Sequence, residues 1–145
     1  MADKINVSCL KCGATNAYPT GDSARKVVCG RCKTPLPQPG RVLELEPEQV
    51  VTLIQNAKMP LLIDFSSPTC MPCHMMQPVV EGLALRRAGN LVVVKVETDA
   101  NRELAAAFKI KAVPTFIVLK NGFERGRTTG AMNETDFSLW VASKE

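Results

Sequence analysis

Six cysteines stand in three pairs of the form Cys-x-x-Cys, and the pairs lie in two different sequence settings. The pairs are Cys9 and Cys12, Cys29 and Cys32, and Cys70 and Cys73. The first two lie in a polar stretch and are separated by residues 13–28, a spacing at which four thiolates can surround one zinc ion. The third follows an apolar run and has no second pair with which to share a metal. We therefore expect a structural metal site at the first four cysteines and thiol chemistry at Cys70 and Cys73.

The chemistry expected of the third pair is thiol–disulfide exchange. If Cys70 opens a helix, unpaired backbone N–H groups and the positive end of the helix dipole favour its thiolate, which makes it the candidate nucleophile. Residues three apart lie on one helical face, so Cys73 can attack a mixed disulfide at Cys70 and act as the resolving thiol. Pro72 is tolerated in a first helical turn and limits the freedom of the chain between the two sulfurs.

Asp64 interrupts the apolar run that precedes Cys70. A carboxyl group buried there would have its pKa raised towards neutrality, and it could accept the proton of Cys73 through water. A structural Asp held by hydrogen bonds explains the residue equally well. Lys95 could pair with Asp64, but a strand-end lysine with its ammonium group in solvent is the simpler interpretation.

The elements that must position these residues follow from the hydrophobic pattern. It predicts strands at 41–45, 61–65, 91–96, 115–119 and 123–128, and helices at 46–54, 70–87, 103–108 and 134–142. Asn121-Gly122 predicts a hairpin turn between the last two strands. The resulting order, βαβαβαββα, indicates an α/β fold with helices on both faces of a mixed sheet.

Residues 33–40 contain three prolines and a glycine, which disfavour the interiors of helices and strands and indicate a linker. We therefore divide the chain into residues 1–40, a small module with its linker, and residues 41–145, a larger domain. The small module has few large apolar side chains, so a metal ion would have to supply much of its stability.

Composition argues against several classes of partner. The formal net charge of +4, from 18 basic and 14 acidic residues, is too small to indicate a nucleic-acid partner. No apolar run resembles an export signal or a bilayer-spanning helix, so we expect a cytoplasmic protein with no membrane partner. In a reducing cytosol, paired cysteines bind metal or exchange disulfides more often than they form permanent bridges.

The motifs of residues 42–145 resemble the thioredoxin family in order and spacing. The matching residues are Asp64-Phe65, Cys70-x-Pro72-Cys73, Pro78, Lys95, Asp99, Val113-Pro114-Thr115, Asn121-Gly122 and Gly130. The preceding Cys9-x-x-Cys12 and Cys29-x-x-Cys32 resemble the zinc module of bacterial thioredoxin 2 proteins. The resemblance implies a thioredoxin fold preceded by a small zinc ribbon that binds one structural zinc ion.

The resemblance also implies a function, a protein-disulfide reductase. Its partners would be disulfide-containing proteins and a thioredoxin reductase that supplies electrons from NADPH, and we expect a monomer. A cis Val113–Pro114 bond would face Cys70 and pair with an extended substrate segment, although Pro114 could simply begin an edge strand. Gly130 would line the same groove or serve only as a turn glycine. Met71 and Pro72 would contact substrate, but an exposed methionine can also have no role.

Several neighbours of the third pair depart from the family pattern. Thr69 and Ser66 stand where aromatic residues are usual, Met71 replaces a glycine, and His74 replaces a lysine or arginine. Because residues beside the sulfurs tune the stability of the thiolate, a disulfide oxidase or isomerase is an alternative. A second alternative is a zinc-dependent interaction module that senses oxidation through its four N-terminal cysteines.

His74 completes a Cys-x-x-Cys-His sequence, the pattern of covalent haem attachment. We reject haem because no export signal is visible and because a helix start after a buried strand suits thiol chemistry better. We expect His74 to be an exposed helix residue that adds positive charge near the thiolate when it is protonated.

Overall fold

The computed structural model describes residues 4–19 and 27–145. The predicted module of residues 1–40 therefore includes two stretches, 1–3 and 20–26, that lie outside the described residues. Within it, strands β1 (Lys4–Ser8) and β2 (Thr15–Pro19) form an antiparallel hairpin that the sequence pattern did not predict. An isolated bridge between Val28 and Pro35 pairs the chain again on either side of Cys29 and Cys32.

The larger domain has the predicted order of strands and helices. Its strands are β3 (Val42–Glu44), β4 (Leu61–Ser66), β5 (Val92–Glu97), β6 (Thr115–Lys120) and β7 (Phe123–Thr129). Its helices are α1 (Pro47–Asn56), α2 (Met71–Arg86), α3 (Arg102–Ala107) and α4 (Glu134–Ser143). The strands form one mixed sheet in the order β3-β5-β4-β6-β7, parallel from β3 to β4 and antiparallel from β4 to β7. The predicted fold class is confirmed.

Strand β4 is the centre of the sheet, and all six of its residues are buried. Because successive side chains of a strand point to opposite faces, Ile63 contributes to a core cluster that includes α1 and α3 residues, while Leu62 contributes to a cluster that includes α2 and α4 residues. Asp64 shares its face with Leu62 and is therefore directed towards the side of the sheet that α2 covers.

The hairpin turn predicted at Asn121-Gly122 is confirmed. Both residues have positive φ, 53° and 82°, as the favoured two-residue turns between antiparallel strands require. Strands β6 and β7 pair on either side of it, with an irregularity in register between Val118 and Leu119.

The N-terminal module packs against the larger domain at one end of the sheet. Leu10, which lies between the first two cysteines, is 7% exposed and joins the core cluster of Val50 and Leu53 on α1. Close approaches accompany this contact: a Cβ on Gly13 would lie 2.6 Å from the Asn56 side chain, and a Cβ on Gly89 would lie 3.2 Å from Ile5. A crevice of about 510 Å³ remains between the hairpin, the proline-rich segment and the start of β5.

No helix in the part of the chain that the structure describes is both long enough and apolar enough to cross a lipid bilayer.

Candidate functional site

Cys70 lies at the junction between the sheet and α2. The buried strand β4 ends at Ser66, three residues of loop follow, and Cys70 is the N-cap of α2 with extended backbone dihedrals, φ −94° and ψ 114°. The backbone N–H of Cys73 donates to Cys70 Sγ at 3.2 Å. Cys70 and Cys73 form a disulfide with their Cα atoms 5.3 Å apart. This Sγ therefore occupies a position where an N–H group of the first helical turn would stabilise a thiolate.

The loop before β6 faces the same sulfur. The Val113–Pro114 peptide bond is cis, and the Val113 carbonyl oxygen lies 3.7 Å from Cys70 Sγ. Gly130, beyond the end of β7, donates its N–H to the Pro114 carbonyl at 2.9 Å. Gly130 has a φ of +102°, which L residues with a side chain rarely adopt, and a Cβ there would have no described atom within 4 Å. Two hydrogen-bonded backbone segments thus lie side by side next to the disulfide, with open space beside Gly130.

The remaining predicted substrate contacts are on the surface of α2. Met71 is 69% exposed and Pro72 is also exposed, in the first turn directly after Cys70. Met75, one turn further, is 64% exposed and was not predicted from sequence. These side chains form an apolar surface next to the reactive sulfur that can contact a partner protein.

Asp64 and Cys73 line one small cavity of about 140 Å³ beneath the start of α2. Asp64 is 6% exposed, and its Oδ1 has no hydrogen-bond partner among the described residues. Burial raises the pKa of Asp64 to about 7, against the opposing effect of the Lys95 charge. A cavity of this size with polar walls can hold water, which would link the carboxyl group to the thiol.

The hydrogen bonding of Asp64 differs from that expected of a purely structural Asp. A structural Asp would have its oxygens satisfied by the protein, whereas here one buried oxygen is left for water. Lys95 on β5 is the backbone neighbour of Asp64 on β4. Its Nζ, however, lies 3.9 Å from a carboxylate oxygen of Glu44, and its side chain is partly exposed.

Two polar contacts to the loop before Cys70 were missed by the sequence reasoning. His74 is exposed as expected, but its Nε2 lies 2.7 Å from the Pro68 carbonyl oxygen. Ser67 donates from Oγ to Asp99 Oδ2 at 3.0 Å. Only the closeness of His74 to a proline-containing loop hints at the first contact, and no sequence signal indicates the second, because its partners are 32 residues apart.

The four N-terminal cysteines converge on one point, with all their Sγ atoms within 4.8 Å of one another. Cys9 Sγ lies 3.5 Å from Cys32 Sγ, and Cys12 Sγ lies 3.7 Å from Cys29 Sγ. A tetrahedron with metal–sulfur bonds of about 2.3 Å has edges of about 3.8 Å, close to these separations. The arrangement is compatible with a small zinc ribbon.

Hydrogen bonds to Cys9 and Cys29 suit thiolates rather than thiols, whereas, against the lowering effect of the Ala14 backbone, burial and the neighbouring cysteine sulfurs raise the pKa of Cys12 to about 11. The N–H of Lys11 donates to Cys9 Sγ at 3.4 Å, and that of Arg31 donates to Cys29 Sγ at 3.3 Å. Donation from the Cys32 backbone, together with Asn16, lowers the pKa of Cys29 to about 6. Four sulfurs this close cannot all ionise without a cation, and a dication would relieve their repulsion. The residues therefore fit a divalent, thiophilic metal ion.

Comparison with known proteins agrees with the geometry. A sequence profile described as Thioredoxin matches residues 41–143. Thioredoxin C-3 of Corynebacterium nephridii is 32% identical over 135 residues, which covers 93% of this chain and 92% of that protein. Thioredoxin of Haemophilus influenzae is 32% identical over 100 residues, 69% of this chain and 94% of that protein.

Solved structures show the same similarity. A crystal structure of chloroplastic thioredoxin z superposes with a TM-score of 0.65 at 25% identity, over 71% of this chain and 93% of that one. A mutant thioredoxin from Halobacterium salinarum superposes with a TM-score of 0.67 at 27% identity, over 74% of this chain and 94% of that one. The profile covers most of the chain and the redox pair lies within it, so this protein belongs to the thioredoxin family of thiol–disulfide oxidoreductases and is a protein-disulfide reductase.

Proposed function

We propose that this protein reduces disulfides of cytosolic proteins through the Cys70-Met71-Pro72-Cys73 dithiol. The observation that carries the proposal is the position of Cys70 Sγ, which accepts the Cys73 N–H at the start of α2 and lies 3.7 Å from the Val113 carbonyl oxygen. A sulfur in this position is stabilised as a thiolate and remains accessible to a second protein.

In the first step, the Cys70 thiolate of the reduced protein attacks one sulfur of a substrate disulfide. A Cys70–substrate disulfide forms, the substrate S–S bond breaks, and the other substrate sulfur leaves as a thiolate that takes up a proton. The substrate segment lies extended along the Val113 backbone, as in strand addition, with Gly130 beside Pro114 on the same side and Met71 and Pro72 at the helix surface.

In the second step, Cys73 resolves the mixed disulfide. Its thiol loses a proton to Asp64 through water in the shared cavity, and the thiolate attacks Cys70 Sγ. The Cys70–Cys73 disulfide forms and the second substrate thiolate leaves, so two electrons pass from the dithiol to the substrate. A thioredoxin reductase restores the dithiol with electrons from NADPH.

The proposal assigns residues 1–40 as a zinc ribbon with its linker and residues 41–145 as the catalytic domain, the arrangement of bacterial thioredoxin 2. Cys9, Cys12, Cys29 and Cys32 would hold one zinc ion, which stabilises the small module when bound. The four close Sγ atoms support this assignment, as does the match to thioredoxin C-3, which extends beyond the catalytic domain over 93% of the chain.

A matched pair of variants tests the two sulfur roles. Cys73→Ser should accumulate a covalent intermediate when mixed with a disulfide-containing protein such as insulin, because Cys70 can still attack but no thiol resolves the product. Cys70→Ser should form no such intermediate and should lose turnover. If Cys70→Ser traps substrate instead, the assigned order of attack is wrong.

The midpoint potential separates the reductase from the oxidase or isomerase alternative. Equilibration of the zinc-loaded protein with dithiothreitol or glutathione buffers should give a midpoint near about −270 mV for the Cys70/Cys73 couple. A midpoint at or above about −180 mV would transfer the protein to the oxidase or isomerase class. Absence of any reversible two-electron couple would leave the interaction module as the better explanation.

The cellular part of the proposal has its own test. The protein should fractionate with cytosolic markers, elute as a monomer on a sizing column, and keep Cys70 and Cys73 mainly reduced when thiols are trapped in intact cells. Loss of a thioredoxin reductase should shift the pair towards the disulfide, and an unchanged redox state would remove that enzyme as the electron donor.

A further inference from the structure

The loop of residues 67–69 carries Cys70 from β4 to α2, and it has no large apolar side chain. Pro68 and Thr69 are exposed, so packing in the core does not hold this loop. The loop is held instead by polar contacts to α2 and to the segment after β5. They come from side chains that the exchange reaction, as described above, does not use.

The first contact ties the loop to the segment after β5. Ser67 Oγ lies 3.0 Å from Asp99 Oδ2, and a carboxylate only accepts, so Ser67 donates. With its proton committed to Asp99, Ser67 Oγ accepts from the Thr69 hydroxyl at 3.2 Å, and the Thr69 N–H is directed to the same oxygen at 3.4 Å. One hydroxyl thus links Thr69, the residue before the nucleophile, to a carboxylate on a neighbouring segment.

The second contact ties the loop to α2 itself. His74 Nε2 lies 2.7 Å from the Pro68 carbonyl oxygen, and this oxygen only accepts. Nε2 must therefore carry a proton, in the neutral ring as in the imidazolium. The contact holds the loop against the first helical turn in either charge state, which differs from the purely electrostatic role expected of His74 from the sequence.

The two contacts are made by residues on either side of Cys70 in the chain, Ser67 before it and His74 after it. The Cys70 N–H donates to the Ser67 carbonyl at 3.2 Å, and the His74 N–H donates to the Cys70 carbonyl at 3.2 Å. Cys70 Sγ meets the Cys73 N–H only while Cys70 keeps its N-cap dihedrals. Freedom in residues 67–69 would let Cys70 leave that geometry and lose the donor to its sulfur.

We propose that Ser67 and His74 are positioning residues that hold the loop before Cys70 and thereby stabilise the Cys70 thiolate. The inference rests on the proposed role of Cys70 as nucleophile. In this proposal, polar side chains keep the loop of residues 67–69 rigid, because the loop has no large apolar side chain that could do so.

The test is the rate at which iodoacetamide alkylates the reduced, zinc-loaded protein as a function of pH. In Ser67→Ala and in His74→Leu, alkylation of Cys70 at pH 7 should slow about three- to tenfold, the loss expected when a charge-assisted hydrogen bond is weakened. The difference should vanish at a pH high enough to ionise the thiol in every variant. A general change of structure or of access would slow the reaction equally at all pH values and would overturn the proposal.

Conservative variants separate the hydrogen bonds from charge and from side-chain size. His74→Gln keeps an N–H donor without a charge, and Ser67→Thr keeps the hydroxyl, so both should react within about twofold of the wild type. Failure of His74→Gln to restore the rate would assign the effect to charge and overturn the hydrogen-bond role. Ser143→Ala on α4, whose hydroxyl donates to the Trp140 carbonyl and to no other described residue, is the matched control and should leave the rate unchanged.

Other titratable groups near the pair are constant across these variants. They are Asp99 beside the loop and, around the cavity under Cys73, Asp64, Lys95, Glu44 and Glu81. Peptide mass mapping identifies the alkylated sulfur. If the label falls first on Cys73, the proposed function fails, whereas labelling of Cys70 at the wild-type rate in Ser67→Ala and His74→Leu contradicts only the positioning role.

Discussion

At the scale of single residues, Asp64 is a carboxyl group whose burial opposes its ionisation. It lies on a fully buried strand, its Oδ1 has no described partner, and its pKa is raised from 3.8 to about 7 by burial. Between those pH values the folded protein retains a proton that the unfolded chain has already released. Stability must therefore fall as pH rises through this window.

Asp64→Asn should remove this pH dependence. A pKa raised from 3.8 to about 7, at about 1.4 kcal/mol per pH unit, predicts that the variant gains up to about 4 kcal/mol over the wild type by pH 8 and much less at pH 4. Urea unfolding at both pH values measures the difference. Glu103→Gln, an exposed carboxyl on α3, is the control, and an equal gain at both pH values would contradict the prediction.

The same substitution should slow the resolution of mixed disulfides. In the proposed mechanism the ionised Asp64 accepts the Cys73 proton above pH 7, so Asp64→Asn should reduce that rate about 100-fold, the low end for general base catalysis. Below pH 6 the wild-type carboxyl is already protonated, and the two proteins should converge. Single-turnover kinetics of a preformed Cys70 mixed disulfide give the rate, and a constant ratio across pH would exclude Asp64 as the acceptor.

A Gly→Ala substitution should change the free energy of unfolding in opposite directions at Gly130 and at Gly82. At Gly130 the φ of +102° makes any Cβ costly, so Gly130→Ala should destabilise the fold by about 1–3 kcal/mol although the space is open. Gly82 lies inside α2 without such a φ. A Cβ there would lie 3.2 Å from Arg86 Nη1, the far end of a flexible side chain that can shift, so Gly82→Ala should be neutral or stabilising by up to about 1 kcal/mol. Chemical denaturation of both variants makes the comparison, and equal effects would contradict the assigned cause.

At the scale of elements, Leu10 joins the hairpin module to α1. It lies between two predicted metal ligands, yet it belongs to the same core cluster as Val50 and Leu53. The module therefore contributes a side chain to the core of the larger domain. Hydrophobic contacts between Leu10 and this core cross the boundary near residue 40.

Leu10→Ala should accordingly destabilise the whole protein. Truncation of a buried leucine costs about 2–5 kcal/mol, and the lost contacts are with α1 rather than with the metal ligands. Val28→Ala is the matched control, because Val28 lies in the same module but is 43% exposed. Thermal unfolding at equal zinc content should show a lower, still single transition for Leu10→Ala, and an unchanged transition would show that the contact contributes little.

Elements with strong periodicity were predictable from the sequence, while contacts between elements were not. The buried run of β4 and the Asn121-Gly122 turn carry their own local signals, so the order of the larger domain was predicted correctly. The β1–β2 hairpin was missed because its strands are short and largely polar. For His74, the sequence indicated exposure but could not indicate that its ring reaches the Pro68 carbonyl.

At the scale of the whole molecule, the cysteine cluster and the redox pair lie at opposite ends of the sheet. The module contacts Asn56 and Gly89, which precede the parallel strands β4 and β5, whereas Cys70 follows the other end of β4. Six strand residues at about 3.3 Å each separate the ends by about 20 Å. The two sites can therefore be perturbed separately.

Removal of zinc by a chelator should lower stability without abolishing disulfide reduction. The small module would lose the ion that holds its two Cys-x-x-Cys turns, and with it part of the support for Leu10, so we expect the Tm to fall by about 5 °C or more. Turnover below the new Tm should stay within about twofold. A thermal scan and an insulin-reduction assay on the same sample measure both, and loss of turnover without unfolding would indicate a functional coupling.

The burial of residues 36–40 also bears on how the chain would respond to a protease. Each of these residues is at least partly covered, and Gly40 lies against Ala88 and Leu85. A cut engineered here would leave two fragments whose contacts through Leu10 and Ile5 are intact. The nicked protein should therefore elute as one particle, and separately expressed fragments should reassociate into an active heterodimer.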